Sequence, residues 1–510
     1  MQLKPFLLAA CCLAAGAARA DDLRCFAPNL DAPAKIAACT QSLESNSLPA
    51  DSRALALLAR AAAYAATGAA NKALGDYDAA LRLAPGDAAA HLARGKLYDA
   101  GGDFAKADAD YTAALAHDNT LAEAYTLRGA LRLKQGDKDA GIADLGEARR
   151  FNPADPAPFK VRGGYFLEKG DSKQAVAELQ EAARLAPEDA DIQRLLGAAR
   201  LKIGATTDAL APFNAALAAN PKDGAALRGR ATAYARQGNY IAAIADFSAA
   251  LALNAKDIAA LEGRGMAALQ SHAYAAAVAD FTALAVARPG DTGPLFFRAN
   301  ARLQNGDAKG AGEDFTAFIA HHANDVEALM GRAIARQFAG DYAGSDADFS
   351  AVLVLAPKAA QALAGRGAVR VMRALYGEAA TDLGAAMALP NAPVDLAAWR
   401  FIAESHAGVK AATALAAAAK TIAADTWPGP VLRYFLGALS GDELLAAASR
   451  EPQAAPGRLC ETYYFLGEAA LLQNDRAEAA KMFKAVIATG MTRYTEYAAA
   501  EAGLARLAKP

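Results

Sequence analysis

Residues 326–357 read VEALMGRAIARQFAGDYAGSDADFSAVLVLAP. Two segments with apolar residues at helical spacing are separated by Gly340-Asp341, and Pro357 closes the second. The Arg332-Ala333 pair inside this stretch unlocks the rest of the chain. It returns every 34 residues as Arg94-Gly95, Arg128-Gly129, Arg162-Gly163, Arg230-Ala231, Arg264-Gly265, Arg298-Ala299 and Arg366-Gly367, with one gap of 68 where Leu196-Gly197 stands. A small residue, an aromatic or leucine, a second small or apolar residue and often proline follow in phase. Ala73, Tyr77, Ala80 and Pro85 show the series, as do Ala209, Phe213, Ala216 and Pro221. Ten units of 34 residues fill 54–393 without insertion. A fixed period of this length marks stacked helical hairpins, none of which can bury its apolar stripe alone.

The spacing small-x-x-Tyr, Ala-x-x-x-Phe-x-x-Ala and Pro resembles the tetratricopeptide repeat, a helix–turn–helix unit. The resemblance covers about two-thirds of the chain. It implies an all-α fold, a right-handed superhelical solenoid of antiparallel helix pairs with helical caps. It also implies that the first helix of each unit lines a concave binding face. The inner positions then carry two chemistries. Lys160, Arg194, Lys202, Arg228 and Arg236 form a basic strip, whereas Met266, Leu269, Phe296, Asn300, Leu303, Met330, Ile334, Phe338 and Met372 form an apolar one. Methionine adapts to varied surfaces and exposed apolar patches mark partners, so the expected occupant is a protein segment with an acidic part followed by an apolar one.

One departure from the general motif is regular. Arginine replaces leucine before the small residue, at Arg60, Arg94, Arg128, Arg162, Arg230, Arg264, Arg298, Arg332 and Arg366. An acid follows sixteen residues later, at Asp76, Asp110, Asp144, Glu178, Asp246, Asp280, Asp314, Asp348 and Asp382. In the fifth unit both are lost together, as Leu196 and Pro212. This joint loss predicts an ion pair bridging the two helices of each hairpin rather than a charged binding ladder.

The 510 residues include 53 Lys+Arg against 55 Asp+Glu, a net charge of −2 that gives no field to recruit nucleic acid or an anionic membrane. Apolar residues reach 54% but aromatics only 7%, much of the rest being alanine, the best helix former. Residues 1–20 read as a signal peptide: Lys4, an apolar stretch over 6–18, and the small-x-small ending Ala18-Arg19-Ala20. Leu8-Ala9-Ala10-Cys11 also resembles a lipobox, but the apolar run before it is short, so cleavage before Asp21 is the favoured reading. No later stretch is long enough to span a membrane. The expected location is therefore periplasmic or secreted. In that oxidising setting Cys25 and Cys39 are the natural disulfide pair, and Cys460 is left as a buried thiol.

Residues 21–53, with the disulfide and a helix starting after Asp31, are the expected N-terminal cap. An irregular helical module at 394–459 is expected to lead into a repeat-like unit and closing helix at 460–510. Trp427-Pro428, Pro430, Gly437, Cys460-Glu461, Tyr463-Tyr464, Leu466-Gly467-Glu468 and Glu496-Tyr497-Ala498-Ala499-Ala500 resemble the C-terminal module of NlpI-like periplasmic repeat proteins. That family implies an envelope adaptor holding hydrolases, proteases or assembly factors near one another. Gly503 stands where an acidic residue is expected, and a clear lipobox is missing. None of the six histidines falls in an H-E-x-x-H arrangement, and there is neither G-x-S-x-G nor a phosphate loop. The reading is a non-enzymatic periplasmic adaptor with no cofactor. The alternative is a scaffold of a polysaccharide-export or outer-membrane assembly.

Overall fold

The computed structural model describes residues 22–45, 48–390 and 392–509. The signal-peptide reading of 1–20 lies outside the described residues. Among the described residues there are 28 α-helices, one 3-10 turn and no strand. The chain divides into two compact units, Met1–Gln237 and Gly238–Pro510.

The first unit opens on the turn Asp22–Phe26 and the helix Ala32–Glu44, which starts because Asp31 accepts from the Ala34 amide and Pro33 occupies the first turn. The Cys25–Cys39 disulfide joins them, and both cysteines are buried against Ala56 and Leu57 of the first hairpin. Closing a loop of this length contributes about 3 kcal/mol in the chain-entropy account. Five antiparallel helix pairs follow, from Ala50–Ala66 with Ala70–Leu83 to Ala190–Lys202 with Thr206–Ala219, and then the helix Gly224–Arg236.

The second unit begins with Tyr240–Leu253 and four further pairs, the last being Ala360–Met372 with Tyr376–Met387. Seven helices complete it: Leu396–His406, Ala412–Ala419, Gly429–Phe435, Gly441–Ala448, Ala455–Leu472, Arg476–Ala488 and Thr495–Leu507. Two boundaries read from the sequence move. Those at 53/54 and 459/460 fall inside Ala50–Ala66 and Ala455–Leu472. These helices begin beside Pro49 and Pro456.

Within a hairpin the arginine and its acid meet as predicted. In seven hairpins Nε and Nη2 of the arginine donate to both oxygens of the aspartate at 2.6–2.9 Å: Arg60, Arg94 and Arg128 in the first unit, Arg264, Arg298, Arg332 and Arg366 in the second. The carboxylates are nearly sealed from water, so the pair is a fork-to-fork bond in low dielectric. The third guanidinium nitrogen reaches backwards. Nη1 of Arg94 meets Asp78, that of Arg128 meets Thr112, that of Arg264 meets Ser248 and that of Arg366 meets Ser350, each on the preceding hairpin. One side chain thus fastens its own two helices and the hairpin before. The fourth rung is weaker: Arg162 touches Glu178 once, at 3.1 Å, while Arg162 Nε and Glu178 Oε2 have no hydrogen-bond partner. Glutamate is one methylene longer than aspartate, and the fork does not register with it.

At four junctions packing between hairpins matches a ring with a glycine, although Phe281 is instead stacked on Phe297 at 5.5 Å. A Cβ on Gly229 would lie 2.2 Å from the Phe213 ring, one on Gly263 2.3 Å from Phe247, one on Gly331 2.4 Å from Phe315, and one on Gly365 2.5 Å from Phe349. Each glycine sits sixteen residues after its phenylalanine, on the next hairpin. Where the ring is replaced by leucine the glycine disappears too: Leu179 is followed by Leu195 and Leu383 by Trp399, each pair in one apolar cluster. At these junctions the match lies between neighbouring units and is visible only when they are aligned at an offset of sixteen residues.

Candidate partner groove

The basic strip expected in the first unit is mixed in sign. Lys160 lies 3.3 Å from Asp189 and 3.4 Å from Asp191, and Arg194 lies 2.9 Å from Asp191 and 3.2 Å from Asp223. Arg236 donates to the Leu201 carbonyl at 2.8 Å, Lys202 is exposed, and Arg228 is half-buried. Asp189 and Asp223 are N-caps, accepting from the Ile192 amide and from the Ala225 and Ala226 amides. An acid that starts one first helix therefore faces a base one turn along the first helix before it. The sequence reading counted the bases and not the caps beside them.

In the second unit the apolar positions come together. Phe296, Asn300, Leu303, Met330 and Ile334, with Val326, line an open cavity of about 630 Å³ formed only by first helices and the head of the next one. Phe296 is held edge-on to Phe315 at 5.9 Å and tilted on Phe318 at 5.2 Å, which fixes its position without covering it. Asn300 donates its amide to the Phe296 carbonyl at 3.0 Å, which orients its Oδ1 as an acceptor. A second cavity of about 580 Å³ continues along Leu303, Gln304, Ile334 and Phe338 to His272, Tyr274, Arg493 and Tyr494. Met266 is half-buried and lines neither cavity. Met372 differs from expectation: it is 3% exposed and belongs to the core.

The wall ends where the chain's own C-terminal segment crosses it. Arg493 donates to the Gln304 carbonyl at 2.9 Å, Tyr342 donates to the Ala498 carbonyl at 2.9 Å, and Arg506 donates to the carbonyls of Val371 at 2.8 Å and Met372 at 3.0 Å. The helix Thr495–Leu507 thus sits against Val326–Phe338 and Ala360–Met372. The sequence announced a closing helix but nothing in it showed where that helix docks.

Beneath this crossing lies a cavity of about 360 Å³ bordered by Asp395, Glu461 and Glu496. The Trp399 indole donates to Glu496 at 3.2 Å and the Trp427 indole donates to Glu461 at 2.7 Å. Burial, reinforced by the neighbouring carboxyls, pushes Glu461 up to about 7 and Glu496 up to about 8. Cys460, next to Glu461, is a free buried thiol pushed up to about 12 by burial, the behaviour of a core residue rather than a nucleophile. Among the described residues no group of histidine, cysteine and acidic side chains is arranged to hold a metal, and no helix is long and apolar enough to cross a membrane.

In-phase hairpins, fork-paired arginines and an inner wall of first helices define the class of helical-repeat solenoids. Residues 162–224 and 228–292 match the family model described as Tetratricopeptide repeat. The chain thus carries tetratricopeptide repeats over these residues. No curated protein matches it. Among solved structures it is similar to a tetratricopeptide repeat protein from Parabacteroides merdae, at 22% identity and TM-score 0.34 over 48% of this chain and 97% of that one. It is also similar to YrrB, described as a TPR protein with an unusual peptide-binding site, at 21% identity and TM-score 0.33 over 37% and 97%. The Cut9–Hcn1 hetero-tetramer of the APC/C matches at 14% identity and TM-score 0.36 over 73% and 93%.

Proposed function

We propose that this protein is a non-catalytic adaptor of the bacterial periplasm that holds a protein or peptide segment on the inner wall of its second unit. The observation that carries the reading is the continuous open surface from Phe296 through Met330 and Ile334 to Phe338, apolar with single polar groups between. Such a wall accepts apolar side chains, while Asn300 Oδ1 offers an acceptor to a backbone amide. Export is supported by the charged start, apolar stretch and small-x-small ending of residues 1–20 and by the Cys25–Cys39 disulfide, which persists in oxidising compartments. The C-terminal likeness to NlpI-like proteins supports an envelope role. The basic residues of the first unit, with the N-cap acids beside them, are suited by themselves to a segment of mixed charge.

The test is photo-cross-linking in cells, with a photoreactive phenylalanine analogue at Met330 and, as control, at Val354, which is 81% exposed on a second helix. Discrete protein adducts from Met330 and none from Val354 are expected. Adducts from Val354 alone, or from neither position, reject the groove as the binding surface.

A further inference from the structure

Three carboxyls meet where the C-terminal segment crosses the inner wall, and they come from three different elements. Asp395 stands at the head of Leu396–His406, Glu461 on Ala455–Leu472, and Glu496 in the first turn of Thr495–Leu507. None of them is within ion-pair distance of a cation among the described residues. The nearest arginines are engaged elsewhere: Arg458 lies 3.0 Å from Glu451 and over the Trp427 ring, and Arg493 donates to the Gln304 carbonyl. Arg493 and Tyr494 border both the acidic cavity and the open groove, so one short segment is the partition between them.

We propose that the helix Thr495–Leu507 is a pH-gated plug of the groove, seated while Asp395, Glu461 and Glu496 share protons and loosened when their ionisation places unpaired negative charges on facing elements. This goes beyond the adaptor reading, because seating of the helix does not depend on what the groove binds. The groups facing the cluster can be named in full. Ala455–Leu472 contributes Cys460, Tyr464 and, one turn before Glu461, Arg458; the approach to the helix contributes Arg493 and Tyr494. The inner-wall helices contribute no titratable side chain there, only Gln337, Ala364, Gly365 and Ala368. At the far end of the plug Arg506 lies 3.8 Å from Glu468, which is fully buried and 2.9 Å from His406, itself stacked on Tyr376. That end carries both signs and holds the helix by opposite charges, whereas the Glu496 end carries carboxyls against carboxyls.

The sign follows from proton linkage. Glu461 and Glu496 lie above their ordinary value of 4.5, so the seated state binds more protons than the released one. Seating is therefore strongest at or below about pH 4.5, weakens as pH rises through the range to about 8, and levels off above it. Release bares the inner faces of Val326–Phe338 and Ala360–Met372 and lengthens the groove beyond Phe338.

The two tryptophans of the chain, Trp399 and Trp427, are the two that bond these carboxylates, so tryptophan fluorescence reads the cluster directly. In the exported chain the expected result is a titration centred between about pH 6.5 and 8.5. Amide exchange of residues 495–507, corrected for intrinsic rate, is expected to be at least about tenfold faster at pH 8.5 than at pH 6. Glu461→Gln/Glu496→Gln should abolish the titration and keep the segment protected at pH 8.5. Should that double variant fail to fold by circular dichroism, Glu461→Gln alone serves, and its midpoint must move. A flat fluorescence profile, exchange of 495–507 independent of pH, or an unmoved midpoint in Glu461→Gln overturns the gate.

Discussion

Asp314→Ala is expected to lower the stability of the second unit by about 3–5 kcal/mol, read as a fall in the urea midpoint of its unfolding. Asp314 is the common acceptor of Arg298, through Nε and Nη2, and of Arg302, through Nη1 at 2.8 Å. Its removal leaves the half-buried Arg298 guanidinium with no anion and Arg302 with only Asp307 at 3.6 Å. The cost is that of stranded charge and not the net worth of the pair, which is why the double change is informative. Arg298→Leu/Asp314→Leu removes both partners of the fork, with Arg302 left to Asp307 at 3.6 Å, and is expected to lose at least about 2 kcal/mol less than the single change. The chain already contains such a joint, where Leu196 is 4% exposed and Pro212 is buried in its partner helix. Equal losses in the single and double variants would refute charge pairing as the source of the effect.

Gly331→Leu should cost about 3 kcal/mol, at the upper end of what overpacking a core produces. The space a Cβ needs at this position is filled by the Phe315 ring, whose Cζ would stand 2.4 Å away, and Phe315 is fully buried with no free rotamer to take. Phe315→Leu alone should also destabilise, by leaving a void beside the glycine. Combining them recreates the Leu179 and Leu195 arrangement of the first unit. The double variant is expected to recover at least about half the loss, a favourable coupling near 2 kcal/mol in a double-mutant cycle. Additive losses would show that hairpins are not matched by volume.

Much of the fold was legible because its signals repeat. The arginine-to-acid interval of sixteen residues recurs in nine units, and its joint loss at Leu196 and Pro212 points to pairing from the sequence alone. In the second unit Phe296 and Met330 share one offset and Asn300 and Ile334 another, and all four line one cavity. In the first unit the strip reads as basic in the sequence and is mixed in sign in the structure. The acids at Asp189 and Asp223 belong to helix starts, and only folding places them beside Lys160 and Arg194. The seat of Thr495–Leu507 was not legible at all. Its hydrogen bonds run from arginine and tyrosine side chains to backbone carbonyls, and a carbonyl leaves no trace in sequence. Glu461 and Glu496 are 35 residues apart, and only burial makes them neighbours.

The ring-and-glycine matching bears on which pieces of this array are interchangeable. Excising 331–364 would splice Phe315 onto Gly365, a junction of the same kind as the one removed, and a foldable shortened protein is expected. Excising 195–228 would instead set Leu179 against Gly229, with nothing to fill the gap left by the missing ring. A shortened protein of the second kind melting as cooperatively as the first would contradict this. The 34-residue module is therefore not a universal brick. It comes in at least two cuts, and insertion or loss of whole modules is tolerated only between faces of like cut.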